Sequence, residues 1–275
     1  MKRKIITFLT LLICLASCDK HTYIDLGLPS GTLWATCNIG AHSPSDYGDY
    51  YAWGENKVKS KYTWSTYKFV NTKAEVSYGF LVKYHLTKYC NDSIYGDSGF
   101  IDKKALLEPS DDVSYIKWGE DWSIPTKAQW EELLDNCIWK AVNKNGKNCY
   151  QVMGPNHNTI YLPASGFCDT LPKYKEGYGR YWANSIELGR VNRSYYAWAL
   201  DFNEISREMV ISTRYKGYAI RPVKNKRGKT QNHGTSKRGN FETCNFQQSQ
   251  RRFGIQNPDS CRQEKMVCQK TSTPL

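Results

Sequence analysis

The sequence predicts an α+β domain: short antiparallel strands, two or three helices and long loops. Three observations carry this. Short apolar or alternating runs bounded by Gly, Pro, Asn and Asp recur along the chain. A single stretch, from Thr126, announces a long helix with a clear start. The helical signals fall early and most strand signals late, which separates the two kinds of element instead of alternating them.

In chain order, Tyr23-Ile24-Asp25-Leu26-Gly27-Leu28 alternates and reads as a first strand, turned by Pro29-Ser30-Gly31 into a second at Thr32–Cys37. Tyr47–Glu55 reads as a third extended segment, with Gly48 and Gly54 allowing turns between bulky rings. Residues 56–109 are irregular in pattern and read as a long loop region, with one short helix near Leu81 to Tyr89. Ser110-Asp111-Asp112 reads as the cap and acidic first turn of a short helix through about Ile116, where acids suit the positive end of the helix dipole. Thr126 is an N-cap and Gln129, three residues on, completes a capping box. From there Trp130, Leu133, Leu134 and Cys137 form one apolar stripe, so a helix is expected over Lys127–Asn136 with Glu131, Glu132 and Asp135 outward. Cys149–Met153 and Thr159–Pro163 flank the turn-rich Gly154–Asn158 as a hairpin. A Gly-, Tyr- and charge-rich loop over Pro172–Arg180 precedes three more strands at Tyr181–Ser185, Tyr195–Phe202 and Tyr218–Val223.

Composition places the folded body within 22–223. All nine tryptophans and all twenty tyrosines lie between Tyr23 and Tyr218. A body of this size buries roughly 70% of the surface its unfolded chain exposes, so one core suffices without metal. The formal charge of +12 is concentrated at the ends: residues 1–18 carry +3 and residues 224–275 carry +8, leaving the body nearly neutral. A nucleic-acid partner therefore loses its main support. Residues 224–275 are basic, polar and without periodicity, and read as a disordered tail. At the other end, Lys2-Arg3-Lys4 precedes an apolar run, Ile5 to Leu15, too short to span a membrane as a mature helix. Leu15-Ala16-Ser17-Cys18 resembles a bacterial lipobox, which makes 1–17 a signal peptide, Cys18 the lipidated residue and 18–21 a linker. The expected location is the outer membrane or cell surface, held by lipid.

Export permits disulfides. The body holds Cys37, Cys90, Cys137, Cys149 and Cys168, an odd number, so at least one thiol has no partner within it. Cys37 with Cys137 is the preferred pair and Cys137 with Cys149 the alternative. No C-x-x-C occurs and the five histidines show no ligand spacing, so neither metal nor another cofactor is expected.

Five motifs in order, spanning about residues 22–223, resemble the Fibrobacter succinogenes major paralogous domain family. They are Tyr23–Ala41, Asp49–Glu55, Ile124–Trp130, Leu162–Gly166 and Gly217–Val223. That family is similar to C-type-lectin-like and formylglycine-generating-enzyme folds, and the resemblance implies a loop-rich α+β domain whose first and last strands pair. It also implies a secreted or surface protein without an established activity. Formylglycine-generating enzymes use a late pair of copper-binding cysteines, and Trp182–Val223 contains no cysteine, so that reaction is not expected. Lectin calcium runs are missing too: Gly154-Pro155-Asn156 lacks the carboxylate and reads as a turn, and Asp92, Asp97 and Asp102 read as solvated loop acids.

What remains is aromatic. Trp182, Tyr195, Tyr196, Trp198, Tyr215 and Tyr218 fall on or beside the late strands, and alternation directs about half of them outward. Rings with a flat apolar face and a polar edge suit stacking on sugars or packing on protein. The expected binding face is Tyr174, Tyr178, Arg180, Trp182, Tyr196 and Trp198. The expected function is a non-catalytic, lipid-anchored module that binds an extracellular glycan or host matrix. The alternative is a structural or adhesive protein whose partner is another bacterial surface protein.

Overall fold

The computed structural model describes residues 21–77, 81–169, 177–188 and 193–224. The signal segment, Cys18, Tyr174 and the basic tail from residue 225 lie outside the described residues, while Lys224, expected to open that tail, is part of a strand. The architecture is α+β: among the described residues there are two α-helices and four small antiparallel sheets, with short 3₁₀ turns between them.

The first sheet has the order β1 (Tyr23–Asp25), β2 (Leu33–Ala35), β12 (Val223–Lys224), β5 (Trp122–Ser123). The two ends of the body thus share a sheet, but the first and last strands do not pair. β2 lies between them, with Trp34 opposite both Ile24 and Val223. The predicted last strand is mostly not a strand. Residues 217–219 make single bridges to Cys168, Tyr51 and Tyr181, because that segment crosses three others in turn and finds no continuous partner. Tyr47–Glu55 is likewise extended without being a strand; Tyr51 bridges Tyr218 and Trp53 donates to the Arg214 carbonyl.

Residues 70–86, expected as loop and helix, form a hairpin of β3 (Val70–Ser77) and β4 (Leu81–Leu86). The sequence Leu81-Val82-Lys83-Tyr84-His85-Leu86 has a period of two in its second half, which a strand satisfies and a helix does not. The short helix α1 (Val113–Trp118) is capped by Asp112, whose carboxylate accepts from Ser114 N at 2.8 Å and from Ile124 N at 2.8 Å. Helix α2 (Lys127–Asn136) has the predicted limits and the predicted capping box, Gln129 N to Thr126 Oγ1 at 3.1 Å and Thr126 N to Gln129 Oε1 at 2.9 Å. Trp130 and Leu133 are buried, with Leu134 and Cys137 packed partly against the same core. Glu132, expected to face outward, instead binds the β1–β2 turn through Ser30 N at 2.7 Å and Ser30 Oγ at 2.6 Å.

After α2 comes the meander β6 (Ile138–Lys144), β7 (Lys147–Met153), β8 (Thr159–Pro163), then the sheet β11–β10–β9 formed by β9 (Gly179–Ile186), β10 (Tyr196–Phe202) and β11 (Arg207–Thr213). This last sheet is the middle layer of the molecule. Tyr181, Ala183, Leu200 and Phe202 join one core with Trp34, Trp130 and Leu133. Trp182, Ile186, Ala197 and Ala199 join a second core with Tyr51, Trp53, Tyr89 and Tyr218. A sheet covered on both faces explains why most late-strand rings are not outward: alternation distributes them between two cores rather than between core and water.

Candidate functional site

The expected binding face does not assemble. Trp182 is fully buried; its ring stacks on Tyr218 with centroids 4.2 Å apart, and its indole donates to the Tyr51 carbonyl at 2.8 Å. Arg180 is committed to Asp201, its cross-strand partner, with Nε to Oδ1 at 2.9 Å, and to the Tyr218 hydroxyl at 3.2 Å. Burial works against its charge, but Asp201 and Tyr218 more than offset that and raise its pKa. Trp198 is half-buried on the opposite face of the sheet from Arg180, with the Lys127 ammonium 4.6 Å from its ring centroid. Tyr196 is half-buried near the same end of β10. Of the described residues of this face, Tyr178 alone is clearly presented to solvent, at 41% exposure. The strand register puts Tyr196 and Trp198 toward the far end of β10 from Gly179, so these residues form no single surface with Tyr178.

Beside Tyr178 the structure has a cleft of about 210 Å³ between the β6–β7–β8 sheet and the turn after β10. Tyr150 and Phe202 line it, ring to ring at 5.3 Å and 86°. Asn143, Asn148, Asn203 and Glu204 bring amides and a carboxylate to it, and Gly177 lines it from the residue next to Tyr178. Each is placed by local structure. Asn143 and Asn148 are cross-strand partners flanking the β6–β7 turn, Nδ2 to Oδ1 at 3.3 Å. Tyr150 donates its hydroxyl to the Asn203 carbonyl at 2.8 Å, which ties the β10–β11 turn to the meander. Asn203 caps that turn through Ile205 N and Ser206 N. Gly179 has to be glycine here, since a Cβ would sit 1.9 Å from the Phe202 ring.

These polar residues escaped the sequence reading because an Asn in a turn is read as turn chemistry. The unused signal for Asn143 and Asn148 is Asn145-Gly146, a two-residue hairpin turn that, one residue beyond the flanking lysines, sets them opposite each other. Cys149 also lines the cleft, but burial pushes its thiol pKa up, so the weakly nucleophilic protonated form dominates.

Among the described residues Cys37, Cys90, Cys137 and Cys149 are thiols and not halves of a disulfide. Neither expected disulfide is formed. Ile138 pairs with Met153 whereas Val142 pairs with Cys149, so Cys137 and Cys149 lie several rungs apart along the hairpin. At about 3.3 Å per rung that exceeds the ~7 Å that a disulfide spans between Cα atoms. Cys37 borders a cavity with His21, His42 and Trp118, while Cys137 packs against the core at the end of α2, where burial raises its pKa to about 11. Among the described residues no group of three or more His, Cys, Asp or Glu is arranged to hold a metal ion, and no helix is long and apolar enough to cross a membrane.

Comparison with known proteins adds no constraint: no family model, curated protein or solved structure matches the chain.

Proposed function

We propose that this chain is a lipid-anchored, non-catalytic cell-surface module of C-type-lectin-like architecture that binds an extracellular glycan. The observation that carries the reading is the cleft lined by Asn143, Asn148, Asn203 and Glu204, floored by the buried rings of Tyr150 and Phe202, with exposed Tyr178 next to the lining residue Gly177. Sugars are recognised by a ring face for the C–H surface, here that of Tyr178, and fixed polar groups for the hydroxyls. The cleft is smaller than the ~300 Å³ at which drug-sized sites begin, which suits one ring of a chain rather than a whole oligosaccharide. The test is a glycan array on residues 21–224, followed by calorimetry on any hit. Tyr178→Ala and Asn148→Ala should each weaken binding about tenfold, the loss of roughly one good contact. Trp198→Ala, outside the cleft, should leave affinity unchanged while lowering stability. A hit that responds only to Trp198→Ala moves the site elsewhere.

The second reading is an adhesive protein whose partner is another surface protein. It is supported by β6, an edge strand ending the β6–β7–β8 sheet, where Ile138 is 65% exposed. An unpaired edge accepts a strand from a partner. A blank array, together with co-purification of a surface protein that is lost on Ala141→Pro, would favour it.

A further inference from the structure

We infer that the face built by α1, Tyr23 and Lys224 lies flat against the bilayer headgroups, so that the body is held in one orientation instead of swinging on its anchor. This deepens the lipid-anchor reading of Cys18 and rests on it. The argument begins with reach. Only Asp19 and Lys20 separate Cys18 from His21. Three residues fully extended span about 10 Å, so whatever surrounds His21 is kept at the membrane.

What surrounds His21 is an aromatic cluster built on the fully buried Trp122. Its ring stacks on Trp118 with centroids 3.9 Å apart and lies edge-on to Trp122 at 6.3 Å. Trp118 meets Trp122 at 5.0 Å, and Tyr23 reaches Trp122 at 6.4 Å. The Lys224 ammonium sits 4.9 Å from the Tyr23 ring centroid and 5.6 Å from that of Trp122. One turn back from Trp118 on α1, Tyr115 is 38% exposed; Ile116, the next position around the helix from Tyr115, is 43% exposed, and Tyr23 is 45% exposed. Amphipathic rings, one exposed isoleucine and lysines that can snorkel are the side chains that a headgroup layer accommodates. Lys117 is exposed on the same helix, and Lys224 lies 3.9 Å from the Asp121 carboxylate. Lys224 is in the same sheet as Tyr23, so both ends of the body meet at this surface.

The experiment uses the full-length lipidated protein in vesicles of phosphatidylethanolamine and phosphatidylglycerol, with Cys18→Ser in solution as reference. Amine acetylation is read by mass spectrometry at Lys117, against exposed Lys57 and Lys140. Labelling of Lys117 should fall severalfold on vesicles while Lys57 and Lys140 keep their rates. A Tyr115→Ser, Ile116→Ser double variant should stay membrane-bound and recover the Lys117 rate. Equal labelling at all three lysines in bound protein overturns the orientation and leaves the anchor standing. Wild-type protein whose mass shows no acyl chains, and which fails to partition into detergent, removes the anchor and the orientation together.

Discussion

Among the described residues two arginines are fully buried, and they are held in opposite ways. Arg221 has a partner on every nitrogen. Nε donates to Asn38 Oδ1 at 2.9 Å, Nη1 to the Ala35 and Thr36 carbonyls at 3.0 Å each, and Nη2 to the Tyr161 carbonyl at 2.7 Å. Asn38 extends the network to the Tyr47 carbonyl and the Tyr181 hydroxyl. Arg214 donates from Nη1 alone, to the Tyr89 carbonyl at 3.1 Å and the Lys88 carbonyl at 3.5 Å, while Nε and Nη2 have no hydrogen-bond partner. It lies instead against Trp53 and Tyr67, with its guanidinium 5.5 and 5.6 Å from their ring centroids. Burial lowers the pKa of both. The difference teaches that a buried cation without a carboxylate becomes a structural clamp only when its donors all meet carbonyls. Otherwise ring faces support the charge and the site gains little from it.

The largest effect should come from breaking the satisfied site. Arg221→Met would leave three carbonyls and the Asn38 amide oxygen unpartnered in a dry interior. About 3–5 kcal/mol of stability should be lost, read from the urea midpoint. Arg221→Lys should recover little, since a point charge cannot reproduce a planar fork of donors. A loss under about 1 kcal/mol would mean that the clamp holds nothing together.

A middle-sized effect belongs to the carboxylate beneath Arg214's region. Asp111 and Asp112 are adjacent and both buried, yet their pKa values move apart. Burial pushes each up. At Asp111 the bonds from Lys68 at 2.7 Å, Lys88 at 2.5 Å and the Tyr89 hydroxyl at 2.7 Å reverse it, for a net lowering. At Asp112 burial wins over the backbone N–H groups it accepts from. A lowered carboxyl contributes stability that is present above its ordinary value and lost as pH falls through the folded one. Asp111→Asn should therefore cost about 2 kcal/mol near neutrality and progressively less below about pH 4. Asp112 runs the other way: its raised pKa makes ionisation a cost as pH rises. A pH-independent gap between wild type and Asp111→Asn would remove the ion pairs from the account.

These two regions also mark where the sequence was legible. Around Arg221 the patterns are local: the capping box at Thr126, the stripe of Trp130 and Leu133, and the hairpin over Gly154–Asn158 each set their own geometry. Around Arg214 the structure depends on distant partners. The β3–β4 hairpin hides among lysines and tyrosines, and Arg214 packs with Trp53, Tyr67 and the 88–89 backbone, far apart in sequence. The candidate site divides similarly. The exposure of Tyr178 was legible because a loop tyrosine has few reasons to be buried. The cleft beside it was not, because Phe202, Asn143 and Glu204 come together only through packing between sheets.

The smallest effect, and the sharpest test of the comparison, is Arg214→Met. The substitution gives up one good carbonyl bond and the cation–ring contacts, worth roughly 0.5–2 kcal/mol. It also removes a buried charge and two unmatched donors, each a desolvation cost that methionine does not carry. Methionine is flexible enough to lie between Trp53 and Tyr67, and sulfur against ring edges is favourable. Gains and losses should nearly cancel, so the stability change should stay within about 1 kcal/mol of zero, with an unchanged slope of unfolding against urea. A loss as large as that of Arg221→Met would show that buried water, not rings, completes Arg214's coordination. The two arginines would then be clamps of one kind.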